Sequence, residues 1–497
     1  MRRLRTGDVP CRSADGGHVR EDGAADPAPD APAESLRSRS LVSAVWMFAR
    51  EGGGIAIRLV GVLLLTRLLG PSDFGIYAGA LAVVTVLATL SQLSSEVFLL
   101  RRPRSPTSAE VGTVYSLLFG VGGAVVALAL AGCLLADRLG LPEQYLGPFR
   151  VMLIGLILNV LWAPSQAALE RAFRYRAVGT LELSGDVILY AVAIPLAIAD
   201  FGAYAPAWGY VAWQAFLLVG SSSLSKLWLR PRWDRGTARD VVRFAGSYTP
   251  VHLFPRLGDL VNPIVVGALL GPAAVGYVAL AVRMTQTVGF VGRTAYRIAL
   301  VVMAQLSDDV PRMSRAFRQA LGLQALGVGV PLVGLAVASP WLLPFAFGEQ
   351  WRPALQVLPF IMVGVFITDL FSLHAHVLTV KSRTRNLAAT YGGLFVAHLV
   401  GTSLLVPVLG IRGFGVSAVL ALVALVPLHL GVRAVFPPVY DQALPWIVGL
   451  APLMLTPLVD GRSALLLAIP LLVVLALPAS RRQLAGHGIE IWTALKR

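Results

Sequence analysis

Arg58, Arg256, Asp259 and Arg283 stand inside long apolar stretches, where a charge is costly and needs a reason. A guanidinium is a planar fork of donors suited to phosphate and carboxylate oxygens, so a set of arginines at such depth could hold an anion that passes them. The spacing of these residues is regular. Arg58 precedes Gly70 by twelve residues, Asp259 precedes Gly271 by twelve, and Arg283 follows Gly271 by twelve. Twelve helical residues span roughly 18 Å, which places all three near one depth. Arg283 and Asp259 are therefore expected to meet across a helical hairpin, with Arg256 one turn from Asp259. The plain alternative is a fixed ion pair that holds the hairpin together. Arg293 and Arg297, one turn apart on one face, could attract an anion at an entrance, or could anchor a helix end.

Other polar residues suggest less. Glu182 and Asp186 share a helical face and could form a proton site for ion coupling, with Glu51, Glu96 and Asp369 as further acidic candidates. His374 and His376 lie two apart, on different faces of a helix, without an accompanying acidic pattern, so no metal is expected. Cys11 falls in a polar tail and Cys133 in an apolar run, which excludes a disulfide framework or thiolate cluster.

The elements that carry these residues are membrane helices. Hydrophobic residues make up 56% of the chain, charged residues 14%, and mean hydropathy is +0.71, outside the range of soluble domains. After a polar stretch over residues 1–40, expected to be disordered, apolar segments of bilayer length follow one another. Met1 is followed by Arg2, Arg3, Leu4 and Arg5 and then by polar residues, so no signal peptide is expected. The pattern predicts an all-α polytopic membrane protein of about fourteen spans: 42–69, 73–100, 111–136, 148–169, 178–200, 204–228, 241–270, 273–305, 316–347, 353–380, 386–408, 411–435, 442–460 and 463–480.

Lys and Arg concentrate in alternate connections. Arg101, Arg102 and Arg104; Arg171, Arg174 and Arg176; Lys226, Arg230, Arg232, Arg235, Arg239 and Arg243; Arg312, Arg315 and Arg318; and Lys381, Arg383 and Arg385 all follow even-numbered spans. The other connections hold at most Arg138, Arg352, Arg412 and Arg462. This asymmetry predicts that both termini and the even connections are cytoplasmic. It also accounts for the net charge of +15 without a nucleic-acid partner.

A repeat organises the spans. Leu68-Leu-Gly-Pro-Ser-Asp-Phe-Gly-Ile-Tyr77 recurs about two hundred residues later as Leu269-Leu-Gly-Pro-Ala-Ala-Val-Gly-Tyr277, each copy breaking a helical hairpin. The expected divisions are a tail at 1–40, a six-helix lobe at 41–230, a second at 231–440, a helix pair at 441–480 and a tail at 481–497.

Three stretches now bear a resemblance: Thr66 to Tyr77; the basic bridge from Leu229 to Arg235 continuing to Val242-Arg-Phe-Ala-Gly246; and Asp259 followed by Gly267 to Pro272 and Gly276-Tyr277. In their order and spacing the chain resembles the polysaccharide transporters, the Wzx-like oligosaccharide flippases of the multidrug, oligosaccharidyl-lipid and polysaccharide (MOP) exporter superfamily. The resemblance implies two six-helix lobes around a central cavity. It also implies movement of a polyprenyl-diphosphate-linked oligosaccharide to the outer leaflet of a bacterial cytoplasmic (inner) membrane by alternating access, for cell-surface polysaccharide biosynthesis. On this reading Arg58, Arg256, Asp259 and Arg283 face the cavity and the diphosphate, and Arg293 and Arg297 mark the cytoplasmic entry. Trp162, Tyr190, Trp208, Tyr210, Trp213, Tyr248 and Tyr296 could stack on sugars, though interfacial anchoring and packing also use such residues. The last two helices could line a groove for the lipid tail.

The expected partners are the lipid-linked oligosaccharide and membrane lipid, with a polymerase and glycosyltransferases as further candidates. A monomer without cofactor is expected. The alternatives are a cation-coupled drug exporter, which calls for a carboxylate-dominated cavity; a membrane-integral polysaccharide-assembly enzyme, which calls for a larger outward domain with acids or metal ligands; and a scaffold that gathers synthesis enzymes. No P-loop or dinucleotide fingerprint is present.

Overall fold

The computed structural model describes residues 33–102, 104–138, 143–228, 230–288, 309–381, 384–459, 461–478 and 480–484, and these are helical with short connections and no strand. The chain separates into two units, Met1–Gly52 and Gly53–Arg497. The first is helical from Ala33, where α1 (Ala33–Ser91) begins. The second holds every other element.

In order these are α2 (Ser95–Arg101), α3 (Ser108–Arg138), α4 (Glu143–Arg171), α5 (Tyr175–Ile198), α6 (Tyr204–Ser225) and α7 (Arg235–Gly258). A wide turn over Asn262–Val266 leads to α8 (Gly267–Leu270) and α9 (Pro272–Val288), and then come α10 (Val310–Phe347), the tight turn Glu349–Gln356, α11 (Leu358–Val380), α12 (Thr384–Leu409), α13 (Ile411–Leu420), α14 (Val426–Arg433), α15 (Leu444–Leu450) and α16 (Gly461–Ala476). Among the described residues nine helices are long and apolar enough to cross a bilayer. In hydrocarbon a backbone has only its own partners, and a helix satisfies its N–H and C=O groups within the segment, which is why apolar runs of this length fold this way. The chain is thus a multi-pass membrane protein. The 38 residues of α10 rise about 57 Å, well beyond a hydrocarbon core of about 30 Å, so its ends stand in the interface and water.

The two copies of the repeat share one backbone state. Gly70 breaks α1 at φ 73° and ψ 175°, and Gly271 separates α8 from α9 at φ 83° and ψ 179°. Only glycine takes these angles without strain, and the proline that follows, Pro71 or Pro272, opens the next helix where its missing N–H costs nothing. The copies also touch. A Cβ on Gly75 would collide with the Pro272 carbonyl oxygen, and a Cβ on Gly276 would collide with that of Pro71. Each copy thus offers its second glycine to the proline carbonyl of the other, a close approach of backbones that any side chain would forbid.

Trp351, fully buried, fills the space beside this contact. Its ring meets Phe74 edge-on at 5.7 Å and Tyr277 at 6.0 Å, one residue from each copy.

A second break differs from the expected uninterrupted helix over 73–100. At Leu93 and Ser94 the backbone turns left-handed (φ 51° and 49°), and α2 leaves at a new angle. The Arg171 guanidinium caps α2, donating to the carbonyls of Leu99 (3.1 Å), Leu100 (3.3 Å) and Arg102 (2.8 Å). On the other side α2 meets α7. Ser94 Oγ lies 3.0 Å from Thr249 Oγ1, Phe98 packs against Phe244, Arg101 lies over Tyr248 at 5.2 Å, and Arg102 pairs with Asp240 at 3.3 Å. The elements before and after residue 230 therefore meet at the Gly-Pro end and at the arginine-rich end.

Candidate functional site

Between those two contacts lies a charged group. Arg58, on α1 before the Gly70 break, places Nη1 3.3 Å from Asp186 Oδ2 on α5. The Asp186 side chain is 9% exposed and that of Arg58 46%, so the carboxylate is a buried anchor and the guanidinium projects from it. The pair lacks hydrogen-bond alignment, and Asp186 Oδ2 accepts none among the described residues. Tyr190, one turn beyond Asp186, lays its ring where a side chain at Gly61 would stand and donates its hydroxyl to the Arg58 carbonyl at 3.3 Å. From α9, on the other side of residue 230, Arg283 comes within interaction range of both Asp186 and Tyr190. Two guanidinium groups against one carboxylate leave one positive charge uncompensated. Such a group can hold an anion without paying for a second buried charge, because the carboxylate already keeps the arginines in place when no anion is present.

This arrangement corrects the expected pairing. Asp259 sits with Arg256, its neighbour one turn back, at 3.8 Å with both side chains half-exposed, while Arg283 lies within electrostatic range of Asp186. The reason is positional. The wide turn at Asn262–Val266, where Pro263 removes a helical donor, changes the phase of the helix between Asp259 and Gly271, so equal residue spacing does not bring equal faces together. Arg58, which has no carboxylate at its depth in its own hairpin, finds one on α5. Asp186 is thus Arg58's counter-ion, while Glu182 lies near Glu96 and Glu170 toward the arginine-rich end. Arg293, Arg297 and Tyr296 lie outside the described residues.

A second polar group escaped the search for charges. Gln92, in the turn that follows α1, donates Nε2 to Asn159 Oδ1 of α4 at 3.0 Å; Asn159 donates Nδ2 to Gln214 Oε1 of α6 at 3.1 Å; and Trp162 donates its indole N–H to the same oxygen at 3.0 Å. Gln214 is 2% exposed, and the other three are half-buried. Uncharged amides carry no charge penalty to announce them, and these residues are far apart in sequence. The available signal was an amide inside an apolar span. Of the other aromatic candidates, Tyr210 is core, Tyr248 belongs to the contact between α2 and α7, and Trp208 lines an apolar groove of about 400 Å³ with Val192, Leu196 and Phe201. That groove bears no charged group to bind an anion.

His374 and His429 both bond the Tyr440 hydroxyl at 2.7 Å. Among the described residues no group of His, Cys, Asp or Glu is arranged to hold a metal.

A multi-helical membrane protein whose repeated hairpins meet at one end, and in which charges from both halves of the chain come within range of one another, belongs to the transporter class. Residues 64–356 match the family described as "Polysaccharide biosynthesis protein". The chain belongs to this family. It is 22% identical over 356 residues to the Lipopolysaccharide biosynthesis protein WzxC of Escherichia coli (strain K12), covering 70% of this chain and 71% of that one. It is 24% identical over 325 residues to the Succinoglycan biosynthesis transport protein ExoT of Rhizobium meliloti (strain 1021), covering 63% of each. In fold it resembles the Lipid II flippase MurJ in an inward closed conformation, with a TM-score of 0.71 and 13% identity over 91% of this chain and all of that one.

Proposed function

We propose that this protein is a flippase that carries a polyprenyl-diphosphate-linked oligosaccharide from the cytoplasmic to the outer leaflet by alternating access. The observation that carries the reading is the group of Arg58, Asp186, Tyr190 and Arg283. It draws one guanidinium from each half of the chain to a depth about 18 Å from the Gly70 turn, on a helix path of roughly 36 Å from that turn to Ser94. A diphosphate bound there would bridge the halves and replace the carboxylate as partner of the guanidinium groups. In this reading the contact at each end would act as one of the two seals that alternating access requires.

In the same reading fourteen helices cross the inner membrane as two six-helix lobes and a C-terminal pair, with both termini and the arginine-rich end in the cytoplasm. Arg256, Asp259, Arg293 and Arg297 stay candidates along the route, and Glu182 and Asp186 for ion coupling. Names of relatives that speak of lipopolysaccharide or succinoglycan biosynthesis, and of a lipid II flippase, support a lipid-linked glycan as cargo. The cation-coupled exporter keeps one observation in its favour, the three carboxyl groups of Glu96, Glu170 and Glu182 near one another.

The test is transfer of a labelled polyprenyl-diphosphate glycan across proteoliposomes. Arg58→Gln and Arg283→Gln are each expected to abolish transfer at unchanged protein level. Transfer by both at the wild-type rate would end the proposal.

A further inference from the structure

Next to the charged group, within the first half of the chain, is a row of uncharged hydrogen-bonding side chains. We infer that Gln92, Asn159, Trp162 and Trp213, held in place by buried Gln214, form a subsite for the hydroxyl groups of a neutral sugar joined to the anion that Arg58 and Arg283 bind. The inference rests on the flippase reading and adds to it the class of chemical group that is recognised beside the diphosphate.

Adjacency comes first. Trp213 lays its indole on Gly185, the residue before Asp186, and Gln214 is the residue after Trp213. One helix contact thus joins the carboxylate of the charged group to the anchor of the amide row. The second observation is unmet bonding capacity at this junction. The Trp213 indole N–H is buried without a hydrogen-bond partner among the described residues, and so is Asp186 Oδ2. A buried donor without a partner costs about 1–3 kcal/mol, and native interiors seldom tolerate one unless something else completes it. The Trp213 donor lacks a partner among the described residues, and a ligand hydroxyl oxygen is a group that can accept from it.

The third observation is polarity fixed by the chain of bonds. Gln214 Oε1 accepts from both Asn159 and Trp162, and Asn159 Oδ1 accepts from Gln92. Every amide orientation in the row follows from the Trp162 indole, which can only donate. A row with defined donors and acceptors, carried on two helices and a turn and half-buried at its outer members, suits a ligand with several hydroxyls. The rings of Trp162 and Trp213 offer apolar faces for the C–H face of a pyranose. Since the five side chains are uncharged, they favour neutral sugars, and the charge of the cargo is left to the arginines.

The experiment uses the full chain in lipid nanodiscs and two probes, polyprenyl diphosphate and polyprenyl diphosphate carrying one glucose, with affinities measured at equilibrium. Wild type is expected to bind the glucosylated probe about tenfold more tightly than the bare one. Asn159→Leu and Trp162→Phe, both at half-buried positions, are expected to bring that ratio close to one and leave the bare probe unchanged. Gln214→Leu should act like them if it folds, and the other two variants decide the matter where it does not. A wild-type ratio near one, a ratio that survives both variants, or variants that lose both probes equally would overturn the subsite while the diphosphate site stands. Failure of wild type to bind either probe would overturn the flippase reading, and this inference with it.

Discussion

Closure at the Gly-Pro end should depend on two hydrogen atoms, the ones that Gly75 and Gly276 carry in place of side chains. In Gly75→Ala the new methyl meets the Pro272 carbonyl oxygen, and in Gly276→Ala it meets that of Pro71. Backbone oxygens on helices cannot rotate aside, so the helices must separate by about an ångström, at the 1–3 kcal/mol typical of an overpacked contact. Since that cost falls only on the closed form, each variant should shift the closed-to-open ratio about 5- to 150-fold. The two contacts are reciprocal and adjacent, so separation for one methyl also makes room for the other. The double variant should therefore cost little more than either single one, although independent sites would add. Spin labels at Phe201 and Glu349, which flank this end on either side of residue 230, report the separation by pulsed electron resonance in a background without Cys11 and Cys133. Added population at longer distance is expected in both single variants. A wild-type distribution in either, or a double variant whose shift equals the sum, would refute the reciprocal contact.

Three further outcomes follow from the packing and the caps. Trp351→Ala removes a fully buried indole held between Phe74 and Tyr277 and should cost about 3–5 kcal/mol, read as a lowered unfolding midpoint in detergent. Lys226 ends α6 in the left-handed region (φ 57°) with an exposed side chain, so Lys226→Gly should raise that midpoint, by about 0.5–1 kcal/mol of relieved strain. Asp234 caps α7 by accepting from the Thr237 N–H at 2.7 Å, a bond that lowers its carboxyl below the ordinary value. Its contribution is then complete above about pH 4 and lost as pH falls through the lowered value. Hydrogen exchange at the start of α7 should speed up in acid, and Asp234→Asn, an uncharged cap, should remove that acid dependence.

Much of the candidate site could be read before any fold was known, because an arginine among apolar residues is conspicuous. Twelve-residue spacings from two glycines singled out Arg58 and Arg283, and in the structure Arg58 pairs with Asp186 while Arg283 lies within electrostatic range of it. The same spacing failed for Asp259, since residue counting assumes an unbroken helix and the wide turn at Asn262–Val266 is not one. The left-handed break at Leu93 and Ser94 has no glycine to announce it, so the span over 73–100 read as continuous. The amide row was equally silent, its members being neutral and carried on two helices and a turn.

The primary structure alone determined that the protein spans a membrane many times, that its hairpins repeat, and that glycine is required at 70 and 271. Those are consequences of hydrophobicity, spacing and the steric limits of a single residue, which act within a helix or a turn. Tertiary structure decided which charge answers which: Asp186 for Arg58, Arg256 for Asp259, and one repeat's proline carbonyl for the other's glycine. These choices depend on how helices distant in sequence are rotated about their axes, and rotation is set by packing against neighbours, which no local pattern encodes.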